Sequence, residues 1–148
     1  MFKIMVVEDD VSLKNIIAKC LTKWGHDVHQ IENLENIIEE FKNYNPELVL
    51  LDINLPFYDG FHWCNEIRKI SKVPIIFISS RNSNMDVIMG VNLGADDYIT
   101  KPFSLMVLIS KVNALMKRVN TVKNYILLVC DDLFFYYIEN KLIIRTDD

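Results

Sequence analysis

The chain of 148 residues carries 16 Lys and Arg against 20 Asp and Glu, a net charge of −4 at pH 7, and 51% of its residues are hydrophobic. This length provides one well-cored domain plus a remnant, and the acidic balance, with basic residues scattered along the chain, excludes the basic surface typical of nucleic-acid binding. Because no apolar run approaches the roughly 20 residues of a membrane span, we expect a soluble cytoplasmic protein with no membrane contact.

Cysteine and histidine spacing gives no sign of a metal site or a disulfide framework. The cysteines are odd in number and lack metal-ligand spacing, so we predict that all three are reduced packing residues: Cys20, Cys64 and Cys130. The histidines have no carboxylate or cysteine at a spacing typical of a dyad or metal site, and we predict that they are surface or partly packed residues: His26, His29 and His62.

The first third of the chain predicts two strands that alternate with two helices. Residues 2–7 are apolar and β-rich and run into Glu8-Asp9-Asp10. Asp10 can cap a helix with apolar residues at helical spacing, for which Gly25 is the natural stop. Residues 28–31 predict a second strand and residues 34–44 a second amphipathic helix.

The next strand, Leu48–Asp52, is four apolar residues followed by one carboxylate. An unbroken apolar run of this length predicts a buried parallel strand, and Pro56 and Gly60 mark the loop after it. Asp52 then lies at the carboxyl end of a central strand, where ligands bind in open α/β sheets. The alternative is that Asp52 only begins the turn, which aspartate does well.

The rest of the core repeats this alternation. Helices are predicted over residues 61–70 and 84–93 and from Ser104 to about residue 119, with strands over residues 73–78 and 97–100 between them. The helix over 84–93 is apolar nearly all round. A surface helix should be apolar along one stripe only, so this helix has either a second contact partner or a deeply buried position.

Five strands alternating with five helices predict a doubly wound α/β fold, because each single-helix connection is a right-handed crossover in a parallel sheet. The predicted order of the five-stranded parallel sheet is 2-1-3-4-5. Its switch point lies between the first and third strands. The crevice is therefore predicted between Glu8-Asp9 and Asp52.

Polar side chains from four strand ends are predicted to meet at this edge: Glu8, Asp9, Asp52, Ser79 and Lys101. Carboxylates repel each other by roughly 1 kcal/mol per pair at about 4 Å in water and more when partly buried, so a cation must compensate. Oxygen ligands with open positions suit Mg²⁺. With a lysine charge and a serine donor, the set indicates phosphoryl transfer to a carboxylate. The alternatives are solvated loop acids, a surface lysine and a serine hydroxyl satisfied by the backbone.

Five sequence blocks together resemble the receiver domain of bacterial two-component response regulators, over residues 1–119. They are Val7-Glu8-Asp9-Asp10, Leu50-Leu51-Asp52-Ile53-Asn54-Leu55-Pro56, Asp59-Gly60, Ile78-Ser79-Ser80-Arg81 and Gly94-Ala95-Asp96-Asp97-Tyr98-Ile99-Thr100-Lys101-Pro102-Phe103. The last block is similar to the subfamily whose receiver precedes a winged-helix DNA-binding domain (OmpR/PhoB-like). The resemblance implies a flavodoxin-like and CheY-like fold.

The resemblance also implies roles for individual residues. Asp52 would accept a phosphoryl group from a sensor histidine kinase, and Mg²⁺ would be held by Glu8, Asp9, Asp52 and the backbone carbonyl of Asn54. The remaining roles are implied as follows: Ser79 as the hydroxyl switch residue, Tyr98 as the rotating aromatic, Lys101 as the phosphate-binding lysine, and Pro102 after a cis bond. For Tyr98, the alternative is an amphipathic edge residue.

Activated receivers of the resembled subfamily pair through the fourth helix, fifth strand and fifth helix, which implies a homodimer here. The candidate interface residues are Val87, Asp96, Asp97, Val107, Lys111 and Arg118. Val87 and Val107 stand where the family often has opposite charges, so this interface departs from the family pattern. One hydrogen bond to a charged group contributes about 1.5–3 kcal/mol, whereas a shift from 1:99 to 99:1 needs about 5.5 kcal/mol. We therefore expect Lys101 and dimerisation to assist Ser79.

Residues 120–148 change character and form the second predicted segment. Three short strands are predicted over residues 125–129, 133–138 and 142–145, with a hairpin turn at Glu139-Asn140-Lys141. They resemble the incomplete opening strands of a winged-helix effector, or they form a private hairpin on the receiver. DNA binding is expected only through an effector domain beyond this chain.

Two rival functions use similar residues. A haloacid-dehalogenase type enzyme also combines an Asp nucleophile, Mg²⁺, a hydroxyl and a Lys, but it needs Asp-x-Asp, and this chain has Asp52-Ile53-Asn54. A receiver-like scaffold that is never phosphorylated is the other rival, and the intact acid site argues against it. We predict a signalling phosphoacceptor, not an enzyme, that controls transcription through an effector.

Overall fold

A computed structural model describes the backbone of residues 1–81, 83–129, 134–138 and 141–145, and side chains within residues 1–81 and 83–120. The chain divides into two compact units, Met1–Ile109 and Ser110–Asp148. The first unit contains five strands alternating with helices, and the second contains most of the last helix and a hairpin. In chain order the elements are β1 (Lys3–Val7), α1 (Val11–Lys23), β2 (Asp27–Gln30), α2 (Ile37–Tyr44), β3 (Leu48–Asp52), α3 (Gly60–Arg68), β4 (Ile75–Ser79), α4 (Asn84–Asn92), β5 (Asp97–Thr100), α5 (Leu105–Val129), β6 (Phe134–Ile138) and β7 (Lys141–Arg145).

Strands β1 to β5 form one sheet in the order β2-β1-β3-β4-β5. Every neighbouring pair is parallel, with Val7 opposite Leu51, Asp52 opposite Ile78, and Ser79 opposite Thr100. The predicted fold class and strand order are therefore confirmed. This register brings the carboxyl ends of β1, β3, β4 and β5 to one edge of the sheet.

The core lies on both faces of this sheet. β3 and β4 are buried along their whole length. Alternate residues such as Met5, Val49 and Phe77 belong to one cluster, into which Phe41 of α2 and Ile67 of α3 pack. Successive strand residues point to opposite faces of the sheet, so the buried strand residues between these must be covered by elements on the other face. Helix α1 contributes to that cover, because it contacts β1 and β2 and has buried apolar side chains.

Short polar side chains begin four of the helices. Asp10, Asn36, Asp59 and Ser83 are N-caps, each accepting a hydrogen bond from a backbone N–H of the first turn. The Asp10 cap confirms the prediction for α1. Helix α2 starts at Ile37 rather than at residue 34, because Asn36 provides the cap there.

Helix α4 resolves one of the alternatives left by the sequence. Gly90 is its buried residue, and a Cβ there would come within 3.1 Å of the Phe77 ring. The apolar side chains around it are exposed, Met85 by 71% and Val91 by 63%. Deep burial of α4 is therefore wrong, and a second contact partner for its exposed apolar side chains stays a prediction.

The C-terminal prediction is partly wrong. Residues 125–129, predicted as a strand, continue helix α5 to Val129. No Gly or Pro interrupts residues 117–129, and leucines favour a helix as readily as the neighbouring β-branched and aromatic residues favour a strand. The other two strands are observed as the antiparallel pair β6 and β7. Glu139 and Asn140 of the predicted turn lie outside the described residues, and the boundary at residue 119 remains a prediction.

The described residues also bear on the predictions for membrane spans, cysteines and histidines. None of its helices combines the length and apolarity needed to cross a lipid bilayer. Cys20 and Cys64 are free thiols, half-buried and buried respectively, and Cys130 lies outside the described residues. The three histidines are half-buried, as predicted.

Candidate phosphoacceptor site

The site forms at the sheet edge where β1, β3, β4 and β5 end. Glu8 follows β1, Asp52 ends β3, Ser79 ends β4 and Lys101 follows β5. The parallel register aligns these ends, so residues far apart in sequence become neighbours. Three of the four are buried: Glu8, Asp52 and Ser79.

An acidic cluster joins the ends of β1 and β3. Glu8, Asp9 and Asp52 each offer a carboxylate oxygen, and these oxygens lie within 4.8 Å of one another. Asp9 is the solvent-exposed member, so the cluster is open on one side. An all-oxygen set with an open side fits Mg²⁺, which takes one or two carboxylates and keeps several waters.

Lys101 supplies the positive charge of the cluster. Its Nζ donates to Glu8 Oε1 at 2.5 Å and to Asp52 Oδ2 at 3.0 Å. The lysine side chain is 22% exposed. Its head group therefore bridges two buried carboxylates, while part of the lysine side chain remains exposed to solvent.

The proton affinities of the cluster are perturbed. Burial, reinforced by a hydrogen bond with Asp52, raises the pKa of Glu8, although Lys101 opposes the shift. Burial and a hydrogen bond with Glu8 raise the pKa of Asp9. For Lys101, burial lowers the pKa, but its bonds to Glu8 and Asp52 outweigh burial and the net shift is upward. A cation in the cluster thus relieves an unfavourable concentration of negative charge.

The loop after Asp52 is tightly constrained. The Asn54 N–H donates to Asp52 Oδ1 at 3.2 Å, and the Gly60 N–H donates to the Ile53 carbonyl oxygen at 2.8 Å. A Cβ on Gly60 would lie 2.2 Å from the Asp52 carbonyl oxygen. Only glycine fits there, because the first residue of α3 packs directly against the backbone at the end of β3.

Ser79 and Tyr98 lie beside this cluster with defined partners. Ser79 Oγ accepts from the Arg81 N–H at 3.2 Å, so its acceptor side is satisfied by the backbone. The Tyr98 hydroxyl donates to the Arg81 carbonyl. Burial raises the pKa of Tyr98. The peptide bond between Lys101 and Pro102 is cis.

The sequence did not reveal the connection made by the Arg81 side chain. Its Nε donates to the Asn54 side-chain oxygen at 2.9 Å, which joins the loop after β3 to the loop after β4. Arg81 follows a strand end by two residues, and that position was the signal that could have placed it near the site. The direction of its side chain is not encoded in any local pattern.

Of the residues predicted for a dimer interface, two apolar ones are exposed: Val87 and Val107. Asp96 is already engaged within the protomer, because its Oδ2 accepts from the Ile75 N–H at 2.9 Å and from Arg68 at 3.3 Å. Asp97 Oδ1 accepts from the Tyr98 N–H at 2.8 Å. The two basic candidates belong to the second unit: Lys111 and Arg118.

The chain is similar to curated bacterial regulators over most of its length. It is 51% identical over 120 residues to the sensory transduction protein BceR of Halalkalibacterium halodurans, a match covering 81% of this chain and 52% of the relative. It is 47% identical over 117 residues to the response regulator protein GraR of Staphylococcus aureus, covering 79% and 52% respectively. The chain thus spans about half the length of the curated relatives it matches.

A solved structure and a family model agree with these matches. The N-terminal domain of the nisin resistance regulator NsrR, a lantibiotic response regulator, is 43% identical, with a TM-score of 0.70 and coverage of 76% of this chain and 95% of that one. Residues 4–113 match the response regulator receiver domain. This is a signalling family rather than an established family of enzymes, which removes the basis for the dehalogenase alternative. The chain belongs to the response regulator receiver family.

Proposed function

We propose that Asp52 is a phosphoacceptor, loaded by a sensor histidine kinase in the cytoplasm. One Asp52 carboxylate oxygen attacks the phosphorus of the kinase phosphohistidine. An acyl phosphate bond forms while the P–N bond breaks, and the bond electrons leave with the histidine nitrogen. The observation that carries this proposal is the buried Asp52 carboxylate in a cluster of three acids, with Lys101 Nζ 3.0 Å away.

Mg²⁺ is the proposed cofactor. Glu8, Asp9, Asp52 and the backbone carbonyl of Asn54 would hold it, and the all-oxygen donor set supports this choice. When bound, the ion would neutralise charge that develops on the transferring phosphoryl oxygens. The chain's own residues would then orient the group: Lys101 would present a point charge toward it, and the Ser79 O–H would donate a hydrogen bond to it.

The acceptor is tested by intact-mass measurement after incubation with Mg²⁺ and acetyl phosphate, in which acetate is the leaving group. A single phosphoryl adduct is expected in the wild type and none in Asp52→Asn. Asp10→Asn is the matched control, because it changes the same residue type beside the cluster and asparagine caps a helix as well as aspartate does. A phosphoryl adduct that persists in Asp52→Asn would overturn the proposal, because another residue would be the acceptor. A wild type without any adduct would also overturn it and would favour an unphosphorylated scaffold.

The output we propose is dimerisation through α4, β5 and α5, which would control a winged-helix effector of the kind expected from the subfamily resemblance. Exposed apolar residues support it: Met85, Val87, Val91, Met106 and Val107. Because Asp96 is held within the protomer by Arg68, apolar contacts would contribute more to this dimer than ion pairs through Asp96. A measurement of molecular size, with and without acetyl phosphate, should show a weaker dimer for Val107→Asp. An unchanged dimer constant would exclude this interface.

A further inference from the structure

Arg81 makes contacts with three parts of the site. Its backbone N–H donates to Ser79 Oγ at 3.2 Å, and its backbone carbonyl accepts from the Tyr98 hydroxyl. Its guanidinium Nε donates to Asn54 Oδ1 at 2.9 Å. One residue therefore contacts the hydroxyl at the end of β4, the aromatic residue on β5 and the loop that follows Asp52.

The Asn54 side chain is held at both ends by the loop after β4. Its oxygen accepts from Arg81, and its nitrogen donates to Ser80 Oγ at 3.4 Å. Its backbone N–H meanwhile donates to Asp52 Oδ1 at 3.2 Å. One hydrogen bond therefore joins the Asp52 carboxylate to Asn54, and a second joins Asn54 to Arg81.

The other contacts of the guanidinium are weaker. Arg81 Nη1 is 4.0 Å from Asp86 Oδ1, and its Cζ lies 5.9 Å from the centre of the Phe61 ring. With 43% of the side chain exposed, neither contact would by itself hold an arginine in place. A charge-assisted bond such as that to Asn54 is stronger than a neutral one.

We propose that Arg81 is a positioning residue that couples the acceptor loop to Tyr98. The path runs from Asp52 through Asn54 to the Arg81 side chain, and from the Arg81 carbonyl to the Tyr98 hydroxyl. Tyr98 in turn lines a cavity of about 290 Å³ with Val87 and Val91 of α4. The inference rests on the proposed function, because phosphorylation of Asp52 is the signal that this path would transmit.

The coupling is testable with fluorine NMR on the full chain labelled with 3-fluorotyrosine. The Tyr98 resonance is assigned as the signal missing from Tyr98→Phe. The site is loaded with Mg²⁺ and beryllofluoride, and the bound-fluoride signal measures loading separately. In the wild type, loading should shift the Tyr98 resonance. At equal loading, Arg81→Ala and Asn54→Ala should each show at most half of that shift, and the double variant should lose no more than either single variant.

Asp86→Asn is the matched control, because it removes the charge from the weaker partner of Arg81 while Ser83 still accepts from the residue 86 N–H. Its Tyr98 response should equal that of the wild type. A full Tyr98 shift in loaded Arg81→Ala would overturn the coupling while leaving the acceptor assignment intact. A wild type that takes neither beryllofluoride nor a phosphoryl group would instead overturn the proposed function. Urea unfolding of each variant confirms that a reduced shift comes from a folded protein.

Discussion

Replacing Lys101 by Met removes the cation that bridges two buried acids. Glu8 and Asp52 have side chains 0% and 3% exposed, so neither regains full hydration when the lysine is lost. At 3.0 Å an ion pair is worth about 5–6 kcal/mol at an effective dielectric constant of about 20, and breaking a buried pair costs about 3–5 kcal/mol. Because Lys101 is 22% exposed, we expect the lower end, about 3 kcal/mol of unfolding free energy at about pH 8 without divalent cations.

The loss should depend on pH through Glu8. Burial, and then Asp52, raises the folded-state pKa of Glu8 above its ordinary 4.5. Its contribution to stability is therefore fully present below 4.5 and is lost as the pH rises through the folded-state pKa. Without Lys101, which opposes this shift, the pKa of Glu8 should rise further. The carboxyl then takes up a proton more readily as the pH falls, so the penalty measured at about pH 5 should be smaller than that at about pH 8.

Urea unfolding followed by circular dichroism, in chelator at both pH values, checks this expectation. Glu8→Gln in the Lys101→Met background should recover part of the loss at the higher pH, since it removes one of the two unpaired charges. Lys69→Met is the control, because Lys69 pairs with Glu66 at 2.8 Å on the surface of α3 and should cause no measurable change. An equal loss at both pH values, or no loss, would refute the assigned role of the buried pair.

Two further substitutions, Gly60→Ala and Phe57→Gly, test the backbone around the acceptor, and Gly25→Ala serves as the comparison for the first. Gly60→Ala places a Cβ 2.2 Å from the Asp52 carbonyl oxygen and should cost about 3 kcal/mol or more in urea unfolding. Gly25→Ala has open space and only a φ of +90° to oppose it, so about 1–2 kcal/mol is expected; a smaller loss at Gly60 than at Gly25 would contradict the steric argument. Phe57 has a φ of 70° and is 68% exposed, so Phe57→Gly should raise the unfolding free energy by up to about 1 kcal/mol, because relief of left-handed strain exceeds the entropy cost of glycine. A measured decrease would show that the Phe57 side chain stabilises the loop.

The sheet and the acidic cluster were predictable because they depend on rules that act over long distances. Apolar runs identify buried parallel strands, and parallel strands separated by helices bring their carboxyl ends together. Glu8 follows such a run directly and Asp52 ends one, whereas Lys101 follows the short last strand, Asp97–Thr100. Their meeting at one edge therefore needed no knowledge of loop geometry.

The parts that the sequence did not predict depend on local choices with nearly equal energies. Residues 125–129 combine helix-favouring leucines with strand-favouring neighbours, and no Gly or Pro decides between the two structures. Phe57 adopts a left-handed backbone, which is unusual for an aromatic residue. The bond from Arg81 to Asn54 depends on the rotamers of two loop side chains, which no periodicity specifies.

The proposed switch must draw on more than one contact of the acceptor site. A phosphoryl group on Asp52 would bring a charge of about −1.5 to −2 to a place where Glu8 and Asp52 already share Lys101. The lysine would then have to divide its charge further, and the proposed divalent cation in the acidic cluster would supply the additional positive charge. One bond from Ser79 contributes about 1.5–3 kcal/mol, less than the roughly 5.5 kcal/mol that a nearly complete switch requires. The remainder is available from Lys101 and from burial of the exposed apolar surface of α4 in a dimer, so phosphorylation and dimerisation should stabilise each other.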